Sequence, residues 1–155
     1  MKLVMVGNGA FAKKHLDGLK RIPGAEVASI VGRLPESTAA VAKQYGIAHH
    51  TTKLEEALAQ PGVEAAILTS PTQLHAAQGV QVMEAGKHVQ IEIPVCDTLA
   101  DADLLLKTQQ ETGVICMGGH TRRFNPSHQY IHKKIQAGEL KVLQMDVRSE
   151  EHTSE

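Results

Sequence analysis

Three stretches of this chain hold residues whose types and spacing could do chemistry. The first, "VGNGAFAKKH" at 6–15, contains Gly7-x-Gly9-x-x-Ala12. Gly7 permits a tight turn, Gly9 lets a pyrophosphate approach the backbone, and Ala12 lets a helix pack closely on a strand. A helix opening with Ala10 and Phe11 would turn free N–H groups toward the phosphates. The second, "KHVQIEIPV" at 87–95, is an apolar strand that ends in Glu92-Ile93-Pro94. A carboxylate there is costly if it is buried and unpaired, so its presence needs a reason. Pro94 makes a cis peptide bond accessible. The third, "GHTRRFNP" at 119–126, offers His120 as a candidate base, histidine being the side chain suited to proton transfer near neutral pH. It also offers Arg122 and Arg123, which could clamp a carboxylated substrate by bidentate bonds. The plainer readings are a histidine packed in its loop and an arginine that ties the loop down.

These groups need elements to hold them. "KLVMV" (2–6) is a short apolar run that ends at Gly7, and it is expected to form a buried strand. Helical spacing over 10–21 gives way to Pro23-Gly24. "AEVASIV" (25–31) is a second strand. Helices are predicted over 36–46, with Gly46 just past the end, over 53–62, over 72–85, and over 98–112 with Thr98 as N-cap. Further strands are predicted over 64–70, 88–91 and 114–117. His49-His50 is expected to be a turn or a strand edge. Strands alternating with helices imply βαβ units, hence an α/β fold with a doubly wound parallel sheet covered on both faces. After Met117 an Asn-Pro precedes another helix, and "KVLQMDV" (141–147) is expected to begin a strand of something new.

Cofactor choice is read after the second strand. A site for NAD usually places an acid there to bond the ribose 2′-hydroxyl. Here Gly32 and Arg33 stand instead. An arginine can pair with a 2′-phosphate, so NADP is expected in preference to NAD. The alternative is that Arg33 is a solvated loop residue.

Composition narrows the class. The chain has 155 residues, a formal net charge of −1 and two cysteines, Cys96 and Cys116, in no Cys-x-x-Cys pair. No basic field points to nucleic acid, no disulfide framework is implied, and no segment reads as a signal peptide or a membrane span. A cytoplasmic protein without a membrane partner is expected. The nine histidines follow no zinc-ligand spacing, so no metal is expected. The last eight residues, "RSEEHTSE", lose all apolar periodicity. The codons AGA-TCG-GAA-GAG-CAC-ACG-TCT-GAA would encode them and match a common sequencing adapter. Residues 148–155 are therefore expected to be a non-native tail.

Gly7-Asn8-Gly9, "TSPTQLH" (69–75), "AGKHVQIEIP" (85–94) and "RRFNP" (122–126) occur here in one order. Together they resemble the glucose–fructose oxidoreductase / inositol dehydrogenase / rhizopine catabolism (Gfo/Idh/MocA) family over residues 1–147. The resemblance implies a Rossmann domain over 1–118, then a linker helix and the first strand of a C-terminal substrate domain over 119–147. It implies an oxidoreductase acting on a CH–OH group, homo-oligomeric when full-length, with the 155-residue piece inactive alone. Thr69, Ser70, Pro71 and His75 would border the nicotinamide, and Glu92 and Pro94 would lie near the cofactor ribose, with Glu92 partly solvated or bonded to it. The family's strand usually ends in Glu-Lys-Pro, whose lysine reaches the substrate hydroxyl. Here that lysine is Ile93. Three readings stay open: an inactive relative, a changed base, or a substrate that needs less help. The likeness is strongest to a branch that oxidises a carboxylated cyclic hemiacetal with NADP, and a hemiacetal hydroxyl is more acidic than an alcohol. A sugar or inositol dehydrogenase and a dinucleotide-sensing regulator are the alternatives.

Overall fold

The computed structural model describes residues 1–144. Strand β1 (Lys2–Val6) is the centre of the sheet because four of its five residues are apolar and buried. It is flanked by β2 (Glu26–Val31) and β4 (Val63–Leu68), both parallel to it. The edge strand β3 (His49–Thr51) pairs with β2, while β5 (His88–Glu92) and β6 (Cys116–Gly119) extend the sheet beyond β4. The order is β3-β2-β1-β4-β5-β6, as in a Rossmann fold. Strand order therefore reverses between β1 and β4, the point where such sheets open a crevice at their carboxyl ends.

Alternation along β1 sends side chains to two cores. Leu3 and Met5 pack with Ala12 and Leu16 of α1 (Ala10–Leu19) and Val41 and Ala42 of α2 (Pro35–Tyr45). Val4 and Val6 belong to the other core. It takes in Leu54 and Leu58 of α3 (Leu54–Leu58), Val82 and Met83 of α4 (His75–Glu84) and Leu105 of α5 (Leu99–Thr112). Helix ends follow local chemistry. The Thr98 hydroxyl accepts the Asp101 N–H at the start of α5, and α2 ends at Gly46 with φ +71°, a left-handed conformation that favours glycine.

His49-His50, expected to be a turn or a strand edge, lies in the edge strand β3. Several boundaries differ from those expected. Helix α1 ends at Leu19 rather than residue 21, and α3 covers only 54–58. Residues Thr72–Leu74 make a 3-10 turn before α4 begins at His75. Strand β6 begins two residues later than predicted, at Cys116. Lys141–Gln144 carry no strand, and residues 145–147 of that expectation, with the 148–155 tail, lie outside the described residues. Among the described residues no helix is long and apolar enough to cross a membrane.

The chain divides after Gly119. The segment from His120 holds a 3-10 turn, Thr121–Phe124, and helix α6 (Pro126–Gln136). Asn125 caps α6 by accepting the Ser127 N–H, and Pro126 occupies the first turn, where no N–H is needed.

Candidate functional site

A crevice of about 680 Å³ opens at the carboxyl ends of β1, β2 and β4. Its floor is the turn after β1. Gly7 sits at φ +110°, and a β-carbon there would collide with the Thr69 hydroxyl. Its N–H donates to the Val31 carbonyl (2.7 Å), and the Thr69 N–H and hydroxyl both donate to the Val6 carbonyl. These bonds hold the ends of β1, β2 and β4 together. Gly9 is different: it is the N-cap of α1, and a β-carbon on it would meet open space. No side chain caps α1 and no acid stands in its first turn. Backbone N–H groups at the helix start are thus left for an anion, and the bare Gly9 lets that anion come close. Such a cradle fits the pyrophosphate of a dinucleotide. Ala12 is fully buried against the sheet, while Ala10 and Phe11 are exposed on the first turn of α1 and do not line the crevice.

At the end of β2, Gly32 and Arg33 line the crevice. A β-carbon on Gly32 would strike the Thr38 hydroxyl and the Asn8 amide. Thr38 is fully buried and donates to the Leu34 carbonyl (2.7 Å), and the Asn8 amide donates to Ser37 and Thr38. This seam joins the glycine turn to the start of α2. The Arg33 side chain is left exposed at the rim, and Glu36, in the first turn of α2, is the next acid along the chain.

Thr69, Ser70 and Pro71 form the wall after β4, joined by Leu74 and Gln78. The Ser70 hydroxyl donates to the Gln78 side-chain carbonyl at 2.5 Å. His75 lies behind this wall, 2% exposed, with Nδ1 2.8 Å from the Pro94 carbonyl oxygen and Nε2 2.8 Å from that of Ser70.

The end of β5 answers the question that Glu92 raised. Its side chain is buried, and Oε1 lies 2.8 Å from Nε2 of His15 on α1, with the Gln90 amide donating at 3.3 Å. A β-carbon on Gly119 would occupy the carboxylate's place. Glu92, expected to be partly solvated or bonded to the cofactor ribose, is thus buried rather than solvated, and it is not among the residues that line the crevice. Ile93 beside it is 44% exposed, and the Ile93–Pro94 peptide is cis.

In the segment after Gly119, His120, Arg122 and Arg123 are exposed. The Arg123 N–H donates to the His120 carbonyl, and Nδ1 of His128 faces the Arg122 carbonyl. Sequence reasoning passed over Asn8, Thr52, Leu74 and Gln78 as crevice residues. Leu74 and Gln78 could have been found from their i, i+4 spacing beside "TSP", and Thr52 only by recognising β3.

Residues 1–120 match the model of the Gfo/Idh/MocA group, described as an oxidoreductase family with an NAD-binding Rossmann fold. The chain is 58% identical over 149 residues to a 4-carboxy-2-hydroxymuconate-6-semialdehyde dehydrogenase of Sphingobium sp. That alignment covers 96% of this chain and 47% of the relative. It is 30% identical over 141 residues to a scyllo-inositol 2-dehydrogenase (NAD(+)) of Bacillus subtilis, covering 90% of this chain and 41% of that protein. A crystal structure of a "probable dehydrogenase" from Thermotoga maritima shares the fold with a TM-score of 0.85 at 24% identity, over 89% of this chain and 41% of its own. The chain spans less than half the length of these proteins. With a glycine cradle at the reversal of a 3-2-1-4-5-6 sheet and a family match over most of its length, the chain belongs to the Gfo/Idh/MocA oxidoreductase family.

Proposed function

We propose that this chain is the cofactor-binding part of an NADP-dependent dehydrogenase. Its substrate would be the cyclic hemiacetal of 4-carboxy-2-hydroxymuconate semialdehyde, which it oxidises to 2-pyrone-4,6-dicarboxylate in protocatechuate 4,5-cleavage. The observation that carries the cofactor reading is Arg33 at the rim of the crevice, in a Gly32–Leu34 segment that contains no acid. The substrate reading rests on the 58% identity to the Sphingobium enzyme.

Gly7, Gly9 and the start of α1 would hold the pyrophosphate, Arg33 the 2′-phosphate, and Thr69, Ser70 and Pro71 the nicotinamide end. The dinucleotide supplies hydride acceptance from the hemiacetal carbon. The hydroxyl proton needs a base, a role assigned to His120, and Arg122 and Arg123 are assigned to the substrate carboxylates. Ile93 cannot take a proton, and an acidic hemiacetal hydroxyl makes less demand on a base than a sugar hydroxyl does. The same isoleucine favours the second reading, a relative that binds the dinucleotide without turnover. The full-length protein is proposed to be a homo-oligomer in the cytoplasm.

Titration of the 155-residue chain with NADP and with NAD tests the cofactor. NADP is expected to bind at least about tenfold more tightly, a difference of about 1.4 kcal/mol, and Arg33→Asp should reverse the preference. Equal or tighter binding of NAD by the unmodified chain would overturn the assignment. Turnover of the hemiacetal by the full-length protein separates dehydrogenase from regulator.

A further inference from the structure

His75 packs at the start of α4, 2% exposed, and its two ring nitrogens both face backbone carbonyl oxygens at 2.8 Å. One oxygen belongs to Ser70, in the loop after β4 that walls the crevice. The other belongs to Pro94, in the turn after β5. A carbonyl oxygen accepts and never donates. A neutral imidazole has one N–H and one bare nitrogen, so a ring with a single proton would turn a lone pair onto one of these oxygens at hydrogen-bond distance. Only a ring with a proton on each nitrogen satisfies both.

We propose that His75 is a doubly protonated strut, a positioning residue that donates from both ring nitrogens and so fixes the Ser70 loop against the Pro94 turn. The ring is rigid and its two donors point apart, so the spacing of the two carbonyls is set by covalent geometry rather than by a flexible chain. Hydrogen bonds from a charged donor are shorter and stronger than neutral ones, which suits a ring held at 2.8 Å on both sides. Two features of the neighbourhood agree. The Ser70 side chain turns away to Gln78, leaving its carbonyl to His75. Pro94 has no N–H of its own, so its residue contributes only an acceptor to the turn. The consequence is a mechanical link between a crevice wall and the turn that carries Ile93.

The test is a long-range 15N–1H correlation spectrum of the 155-residue chain with 15N-labelled histidine, at pH 7.5. It reads both ring nitrogens through the carbon-bound ring protons, so rapid exchange of the N–H protons does not hide them. His75 is assigned by its loss in His75→Gln. Where that variant does not fold, backbone-to-ring correlations in the unmodified chain assign it instead. Both nitrogens of His75 are expected at the protonated position. One nitrogen at the protonated position and one at the bare position would overturn the double protonation. A ring that averages between the two tautomers would overturn the strut altogether. A second measurement addresses position: in the full-length protein, His75→Leu should lower kcat at least about tenfold, and His75→Gln, which can still donate one hydrogen bond, should restore part of that loss. An unchanged kcat in His75→Leu would show that the link positions nothing.

Discussion

The carboxyl ends of β1 and β5 handle polar groups in opposite ways. At β1 the chain leaves them open: Gly9 has no side chain, no residue caps α1, and space lies above the turn. At β5 it closes them: Glu92 is buried with His15 and Gln90, and Gly119 is bare to make room for it. Both are conspicuous in sequence as special residues at strand ends. The difference teaches that a residue type at a strand end does not by itself mark a ligand contact. What marks one is polar capacity left unspent.

The contrast can be broken by moving stability at one end and binding at the other. His15→Leu should produce the largest effect. It strips a hydrogen-bond partner from a buried carboxylate, which costs about 2 kcal/mol, read as a lower unfolding midpoint in urea. The double variant His15→Leu/Glu92→Leu should recover much of that loss, because no charge is then stranded. A single variant as stable as the parent would show that Glu92 is not held by His15.

Gly9→Ser should do the reverse. Serine is a good N-cap and has open space to enter, so the unfolding midpoint should hardly move. NADP affinity should fall about tenfold, close to 1.4 kcal/mol, because the hydroxymethyl group fills the approach to the backbone. Undiminished binding would remove Gly9 from the cradle.

The smallest effect concerns an exposed carboxylate that sharpens the contrast with Glu92. Glu56 accepts the Thr51 hydroxyl at 2.6 Å and pairs with Lys53 at 3.1 Å. The Thr51 bond first, then Lys53, holds its carboxyl below the usual range. A carboxylate depressed in the folded state stabilises the fold above its unfolded titration range, and that contribution disappears as pH falls through the folded one. Glu56→Gln should therefore be slightly less stable than the parent at pH 7, and the gap should close in thermal melts as pH falls through the lowered folded-state titration of Glu56. A gap that persists in acid would contradict the sign.

Local chemistry made much of this legible. Strands β1 and β4 are short, largely apolar runs that end at turn residues. Thr98 and Gly46 mark helix ends by capping and by left-handed backbone, and Gly7-x-Gly9 specifies a turn through steric need. These signals lie within a few residues of the structure they report. Strand β3 could be read only as a turn or a strand edge because "HHT" has no apolar period, and an edge strand needs none. The His15–Glu92 pair was hidden because its members are 77 residues apart and meet only once α1 lies on the sheet. The crevice roles of Asn8 and Thr52 likewise depend on which strands become neighbours. The burial of Glu92 depends on which way its side chain turns at the strand end, and no neighbouring residue in the sequence reports that.

The sealed carboxylate also bears on how such a site can change over time. Ile93 stands half-exposed between Glu92, anchored by His15, and Pro94, whose carbonyl faces His75. Its neighbours are tied to the scaffold and it is not, so position 93 behaves as a socket. A side chain plugged in there can be exchanged, lysine for isoleucine, without disturbing the bonds on either side. The fold thus makes little demand on the side chain at this one residue, while it fixes the residues on either side.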